Sequence, residues 1–379
     1  MVFFYNSIVA QLLLNGYFVF RIDKSKPMPK GLKIALYILI AIEALIYFSG
    51  LFFREQLSIP TYALIQKISA FWVISSLYFL FLLSVFDLVH LLNKKWIFKV
   101  KLERKILFIF ECVVTLIVIL LIGQKVEISK DNFINPDVKE FSFQFDTLPD
   151  SIPSDSITAY KLLTVSDLHL GYLINKSVLK KYVDVINSLQ PDIIVVDGDL
   201  IDYYLAPLIE ERMDLELKKL KAPHGVYFVP GNHEYKVNPE ADFEWIRSAG
   251  ITVLKDSIAN IDDKLYLIGW DDRSNEENRA SLKSLFAKVP NKESCILFAH
   301  QPKDIKEALA LNIPLTISGH THNGQFFPAN LISFFQDNFY GLQQEGDNYS
   351  YTTSGLGLSG MPVRIVSQSE IAVFNIEIK

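Results

Sequence analysis

The chain has 379 residues, 50% of them hydrophobic, with a mean hydropathy of +0.24 and a formal net charge of −5. That hydropathy is high for a soluble protein and implies membrane segments, while two cysteines are too few for a disulfide-built fold. The charge is split: residues 1–130 carry 15 Lys/Arg against 7 Asp/Glu, and subtraction from the totals of 37 and 42 leaves 22 against 35 for residues 131–379. A basic, apolar part followed by an acidic, polar part indicates two domains of different kinds. The acidic part makes a nucleic-acid backbone an unsuitable partner, because that binding rests on Lys/Arg neutralising phosphates.

A membrane-spanning helix needs ~20 predominantly apolar residues. Four stretches approach this, at 2–20, 32–53, 70–92 and 106–123, and predict an all-α transmembrane region over 1–124. Asn6, Gln11 and Asn15 interrupt the first stretch, and no positive segment precedes it as in a signal peptide, so it reads as a retained helix. The loops flanking these stretches differ in charge. Arg21, Lys24, Lys26, Lys30 and Lys33 follow the first; Lys94, Lys95, Lys99, Lys101, Arg104 and Lys105 precede the fourth; only Arg54 and Lys67 lie between the second and third. The positive-inside rule places both basic loops in the cytoplasm and everything after Gly123 on the extracytoplasmic side. Glu43, Asp87, His90 and Glu111 lie within or at the ends of these stretches. Ionisable groups there are functional hypotheses by default, although Glu43 and Glu111 pairing with polar groups of neighbouring helices explains them without a pathway. With no internal repeat and no broken helix, the region reads as an anchor rather than a transporter. Cys112 and Cys295 fall in different parts, so no disulfide between them is expected.

Residues 125–159 read as a linker containing an edge strand at 138–145, where polar and apolar residues alternate, followed by a loop at 149–156. From 160 to 379 strands and helices alternate: strand 161–165, helix 177–189, strand 192–196, helix 205–220, strand 226–229, helix 239–249. Later strands cluster at 264–268, 295–299, 315–318, 349–353, 363–366 and 371–376. Alternating units followed by many strands fit an α/β architecture in which two sheets pack together between helices.

Five of the seven histidines fall in short motifs that follow these apolar runs. They are Ser166-Asp167-Leu168-His169, Gly198-Asp199-Leu200-Ile201-Asp202, Gly231-Asn232-His233-Glu234, Ala299-His300 and Gly319-His320-Thr321-His322. Aspartate, asparagine and histidine suit divalent first-row metals, and residues leaving strand ends converge on the crevice where α/β proteins place their sites. A Gly-Asp or Asp-x-His pair arises by chance in many proteins. Gly-Asn-His-Glu and Gly-His-Thr-His are more specific, and all five in order behind strands are difficult to explain structurally. His90 and His224 lie in no motif and read as non-catalytic.

In order and residue type the motifs resemble the calcineurin-like metallophosphoesterase superfamily. Gly319 to Gln325, Ser354-Gly355-Leu356-Gly357, Pro362-Val363-Arg364, Ser166 to Gly171 and His300-Gln301-Pro302 are similar to its YkuE/YaeI-like branch. The resemblance covers residues 160 to 379. It implies a four-layer sandwich of two packed mixed β-sheets flanked by helices, holding two divalent metal ions, Mn, Fe or Zn, whose activated water attacks phosphorus. It implies that Asp167, His169 and His322 bind one metal, that Asn232, His300 and His320 bind the other, and that Asp199 bridges them. His233 is then the general acid or a phosphoryl clamp, and Asp202 supports its imidazole. Gln325 and Arg364 are candidate substrate contacts. Asn323 stands where the branch usually has glycine, a position that asparagine tolerates at positive φ. The function implied is a membrane-anchored phosphodiesterase or phosphatase acting on a lipid-linked or cell-envelope phosphoester. The alternative, a non-catalytic membrane sensor or scaffold with this fold, predicts a missing ligand position, and none is missing.

Overall fold

The structure, a computed structural model, describes residues 2–26, 28–53, 56–95, 113–114, 132–145, 157–327, 329–360 and 362–379. The chain forms two compact units, Met1–Glu127 and Ile128–Lys379. In the first, the described helices are α1 (Val2–Lys24), α2 (Lys30–Phe52) and α3 (Ile59–Lys95). Nearly all of the fourth apolar stretch at 106–123, with Glu111 and Cys112, lies outside the described residues, as does the 149–156 loop.

Among the described residues, two helical segments are long and apolar enough to cross a membrane, Lys30–Phe52 and Ile59–Leu88. Helix α3 starts eleven residues before the expected 70, because Thr61, Tyr62, Gln66 and Lys67 lower the hydropathy of its first turns without breaking a helix. Helix α1 falls outside that class, and the polar residues that interrupt it have partners. Gln11 Nε2 donates to both Glu43 oxygens at 2.6 and 2.7 Å, Asn15 Nδ2 donates to Glu43 Oε2 at 3.1 Å, and Trp72 Nε1 donates to Asn15 Oδ1 at 3.3 Å. One buried carboxylate is thus satisfied by amides from the neighbouring helix, as a polar group away from water must be. Arg21 and Asp87 pair at 2.7 Å.

The strands of the second unit are β1 (Asp137–Phe145), β2 (Thr158–Val165), β3 (Ile193–Asp197), β4 (Val226–Val229), β5 (Thr252–Val253), β6 (Ser257–Ile261), β7 (Leu265–Gly269), β8 (Cys295–Phe298), β9 (Leu315–Ser318), β10 (Gly341–Glu345), β11 (Asn348–Thr352) and β12 (Glu370–Ile378). They form two mixed sheets, ordered β1-β12-β2-β3-β4-β5 and β10-β11-β9-β8-β7-β6. β2 to β5 run parallel, β12 is antiparallel to β2, and β1 is parallel to β12 with Phe141 opposite Phe374. The expected edge strand therefore belongs to the first sheet.

Period-two alternation distributes the strand residues between layers. Leu162, Ile193 and Val195 point into the core between the sheets, where they meet Ile296, Phe298, Leu315 and Ile317 of the other sheet. Leu163, Val165, Ile194 and Val196 point the opposite way, onto α4 (Lys176–Ser188) and α7 (Pro239–Ser248). Cys295 and Leu297 line the outer face of the second sheet, against α8 (Leu282–Phe286) and α9 (Ile305–Ala310). Helix α4 is capped by Asn175, whose side chain accepts from the Ser177 and Val178 amides.

Two expected elements differ. The helix at 205–220 is two short ones, α5 (Ala206–Glu210) and α6 (Asp214–Leu217), separated by Arg212 at φ 53°. The strand at 363–366 is irregular: the Ile365 and Val366 amides donate to the Gln325 carbonyl, which takes them out of any ladder.

Candidate metal centre

The motifs leave the C-terminal ends of β2, β3, β4, β8 and β9, and their loops are tied edge to edge. The Asp167 amide donates to the Gly198 carbonyl at 3.0 Å, the His169 amide to Asp199 O at 2.9 Å and the Gly319 amide to His300 O at 2.9 Å. Gly198, at φ 79°, lies so close to the His300 ring and to Gly231 Cα that a Cβ there would overlap both. Gly319 lies equally close to Ser166.

Asp167 Oδ1 lies 3.2 Å from His322 Nε2 and 3.8 Å from His169 Nε2, and the two imidazole nitrogens are 3.0 Å apart. Asp199 Oδ2 lies 3.2 Å from His300 Nε2, 3.8 Å from His169 Nε2 and 4.0 Å from His233 Nε2. Three sets of donor atoms each fit within 4.8 Å: Asp167, His169 and His322; His169, Asp199 and His233; Asp199, His300 and His320. Asp199 belongs to two of them and links the sides of the cluster. The Asn232 side chain contributes a buried Oδ1 that makes no hydrogen bond.

The donor set fits a pair of cations. Asp167 Oδ1 and His300 Nε2 are buried and also make no hydrogen bond, facing one another and the other ligand atoms instead. The remaining atoms are used for orientation. Asp167 Oδ2 accepts from Ser166 Oγ at 2.5 Å and from the His320 amide at 2.9 Å. His300 Nδ1 bonds the Asp197 carbonyl at 2.8 Å, which fixes its ring. Burial pushes the Asp167 carboxyl up, but His322 and His300 outweigh it and hold the group well below the usual range. Burial likewise opposes the charge on Asp199, and His300 and His233 overcome it. Burial works against a charged His169, yet Asp167 and Asp202 raise it to about 10. The centre is a field that favours positive charge.

Asp202 Oδ1 stands 3.5 Å from Nδ1 of both His169 and His233, so one carboxylate faces a candidate ligand histidine and the candidate acid together. The Asp202 carbonyl also faces His233 Nδ1 at 2.5 Å, while the His233 amide donates to Asp199 Oδ1 at 2.8 Å. The Tyr203 ring packs 4.7 Å from the His233 ring.

The two candidate substrate contacts are corrected. Arg364 is fully buried, and its guanidinium donates to the carbonyls of His322, Ser354, Gly355 and Gly357 and to the hydroxyls of Ser367 and Ser369. Burial lowers its pKa to about 10, where it stays a cation clamping the loop behind His322. Gln325 is 4% exposed; its Nε2 donates to Ser359 O at 3.1 Å and its Oε1 accepts from the Ser359 amide at 2.9 Å. Both side chains brace the metal-site loops rather than face a substrate. Asn323 takes positive φ, 47°, with no glycine needed. His224 lies apart from the cluster, near Asp262 at 3.4 Å and Tyr160.

Sequence reasoning missed Glu234. It is fully buried and accepts from the amides of Asp199 (3.1 Å), Ile201 (3.1 Å) and Gly231 (2.9 Å), joining two motifs through one carboxylate. Burial and then Asp199 raise it to about 7. Its place in Gly231-Asn232-His233-Glu234 was visible, but nothing in the sequence showed that it points at backbone.

Residues 160–324 match the family model described as calcineurin-like phosphoesterase. The second unit carries a calcineurin-like metallophosphoesterase domain. A zebrafish (Danio rerio) "transmembrane protein with metallophosphoesterase domain" is 34% identical over 253 residues, 62% of this chain and 56% of that protein. A Helicobacter pylori metallophosphoesterase is 30% identical over 64% of each chain. The Bacillus subtilis metallophosphoesterase YkuE is 28% identical over 61% of this chain and 84% of that one. The chain spans 56% and 64% of the first two relatives' lengths. The family match covers the five motifs, β3 to β9 and most of β2; β1, β10, β11, β12 and the preceding helices lie outside it.

Proposed function

We propose that the chain is a membrane-anchored, binuclear metal-dependent phosphoester hydrolase acting on a lipid-linked or cell-envelope phosphoester. The observation that carries this reading is the cluster of Asp167, His169, Asp199, His300, His320 and His322, with donor atoms turned inward and their other polar atoms used to hold them. Asp167, His169 and His322 would hold one divalent cation, Asn232, His300 and His320 the other, with Asp199 between them. Two such ions supply Lewis acidity for the phosphoryl oxygens and a nucleophile from water.

The chain's own residues do the rest. With Nδ1 turned toward the Asp202 carbonyl and carboxylate, His233 presents Nε2, 4.0 Å from Asp199 Oδ2, as the atom that would pass a proton to a departing alkoxide oxygen. Asp202 would hold the orientation of the ring. Lys30–Phe52 and Ile59–Leu88, long and apolar enough to span a bilayer, support an anchor that would confine the domain near substrates partitioning into it, and the basic loops support an extracytoplasmic position under the positive-inside rule.

The test compares wild type with His233→Ala on a nitrophenyl phosphodiester and on an alkyl phosphodiester. The variant keeps its metals by elemental analysis and loses rate on the alkyl ester, typically by ~10²–10⁴-fold for lost acid catalysis, with a smaller loss on the nitrophenyl ester. Equal losses on both esters rule out proton donation. Absence of hydrolysis by metal-loaded wild type across lipid, nucleotide and nitrophenyl phosphoesters rules out the enzyme reading.

A further inference from the structure

The segment after the Gly-His-Thr-His motif exposes apolar side chains that the fold does not use. From Gln325 to Gln336 there is no charged residue, in the part of the chain with 35 acidic against 22 basic residues. Within it Ala329–Phe334 is a 3-10 turn. Leu331 is 39% exposed and Phe335 is 90% exposed, the most exposed of the described large hydrophobic side chains. The segment is fastened to the metal centre: Asn330 backbone packs against Gly324, two residues beyond His322, and the Asn330 amide lies 3.3 Å from the Phe326 carbonyl. An apolar tip therefore projects from the same loop that carries two of the candidate ligands.

We propose that this tip inserts Leu331 and Phe335 into the headgroup–acyl boundary of a lipid bilayer and so sets the metal centre against phosphoesters at that depth. The proposal rests on the membrane-anchored phosphoesterase reading and adds the surface through which such an enzyme meets lipid. The bilayer is the occupant favoured by the chain itself, since its first unit has two segments able to span a membrane and tethering keeps lipid at high effective concentration. Charge points the same way. An acidic unit is repelled by anionic headgroups, so contact must come from uncharged apolar insertion, and aromatic and leucine side chains are the types that partition into the interface. Such contact is insensitive to salt, unlike adsorption through basic patches.

The experiment places a nitroxide at Phe335→Cys in the full chain reconstituted in phosphatidylcholine vesicles, with Asp263→Cys, in the exposed β6–β7 turn, as reference. The label at 335 is expected to be more accessible to oxygen than to a water-soluble nickel chelate, with no change on adding salt, while the label at 263 shows the reverse. Free access of the chelate to 335 overturns the proposal. Shielding of 335 from both reagents also overturns it, in favour of a protein contact such as a second copy. A Leu331→Ser/Phe335→Ser variant is expected to lower kcat/KM on a vesicle-embedded phosphodiester by about tenfold or more relative to a soluble nitrophenyl diester. An equal effect on both substrates overturns a lipid role. If wild type cleaves neither, the hydrolase reading fails, and the spin-label result still decides the loop.

Discussion

Glu234→Gln tests whether one carboxylate holds the loop after β3 and the loop after β4 in a common frame. Glu234 Oε2 accepts from the Asp199 and Gly231 amides, and Oε1 accepts from the Ile201 amide. Glutamine keeps one oxygen. Placed toward Asp199 and Gly231, that oxygen preserves two bonds and sets an NH₂ group against the Ile201 N–H; the reverse placement orphans two amides. The least-cost arrangement leaves one buried donor unsatisfied, about 1–3 kcal/mol. Local opening at Asp199–Ile201 then becomes roughly 5- to 150-fold more frequent, because opening frequency scales exponentially with that cost. Hydrogen exchange of a peptide covering 198–202, read by mass spectrometry on the full chain, measures this directly and needs no catalytic turnover. Metal affinity should fall with it, by ~10–100-fold, as expected when a group orienting ligands is lost. Exchange at 198–202 indistinguishable from wild type would refute the reasoning, because the three bonds would then contribute nothing to holding the loop.

Asp199→Asn is isosteric and can still accept from the His233 amide, yet it removes charge beside His300 and His169; it is expected to lose at least one metal per chain, and retention of two by elemental analysis contradicts a bridging role. A cysteine replacing Ser151, a position outside the described residues, should be labelled by an impermeant thiol reagent on intact cells; labelling only after lysis reverses the topology.

The central strands were legible because both their faces are buried, so short apolar runs such as Ile193–Asp197 stand out against polar surroundings. What escaped was set by tertiary contact. Arg212 breaks a helical pattern by taking positive φ, which arginine's type does not announce. The 363–366 segment has the composition of a strand but is drawn to Gln325 instead. Arg364 looked like a substrate contact because arginine usually is one near a phosphoester; its six-partner cage of carbonyls and hydroxyls depends on loops distant in sequence. In the helical unit, Gln11 and Asn15 looked like flaws in an apolar stretch. They become partners only when Glu43, some thirty residues on, is brought beside them.

The candidate ligands raise a further physical question, since Asp167, His169, Asp199, His320 and His322 all have φ between 47° and 71°. Left-handed backbone in a non-glycine residue costs on the order of 1 kcal/mol or more, and five such residues in adjoining loops would unsettle a domain of ordinary stability. Residue type lowers the cost, because aspartate, asparagine and histidine are the side chains most often tolerated there. The rest is offset by the bonds between loops: Asp167 to Gly198, His169 to Asp199, Leu356 to Ser166 and Gly357 to Asp167. The buried Arg364 and Glu234 act in the same way, one gathering carbonyls and the other gathering amides. Each strained residue turns its side chain off the strand axis and into the cluster. The residues able to ligate a metal are thus also the ones able to adopt the backbone that aims them, and the motifs stay short because one residue does both.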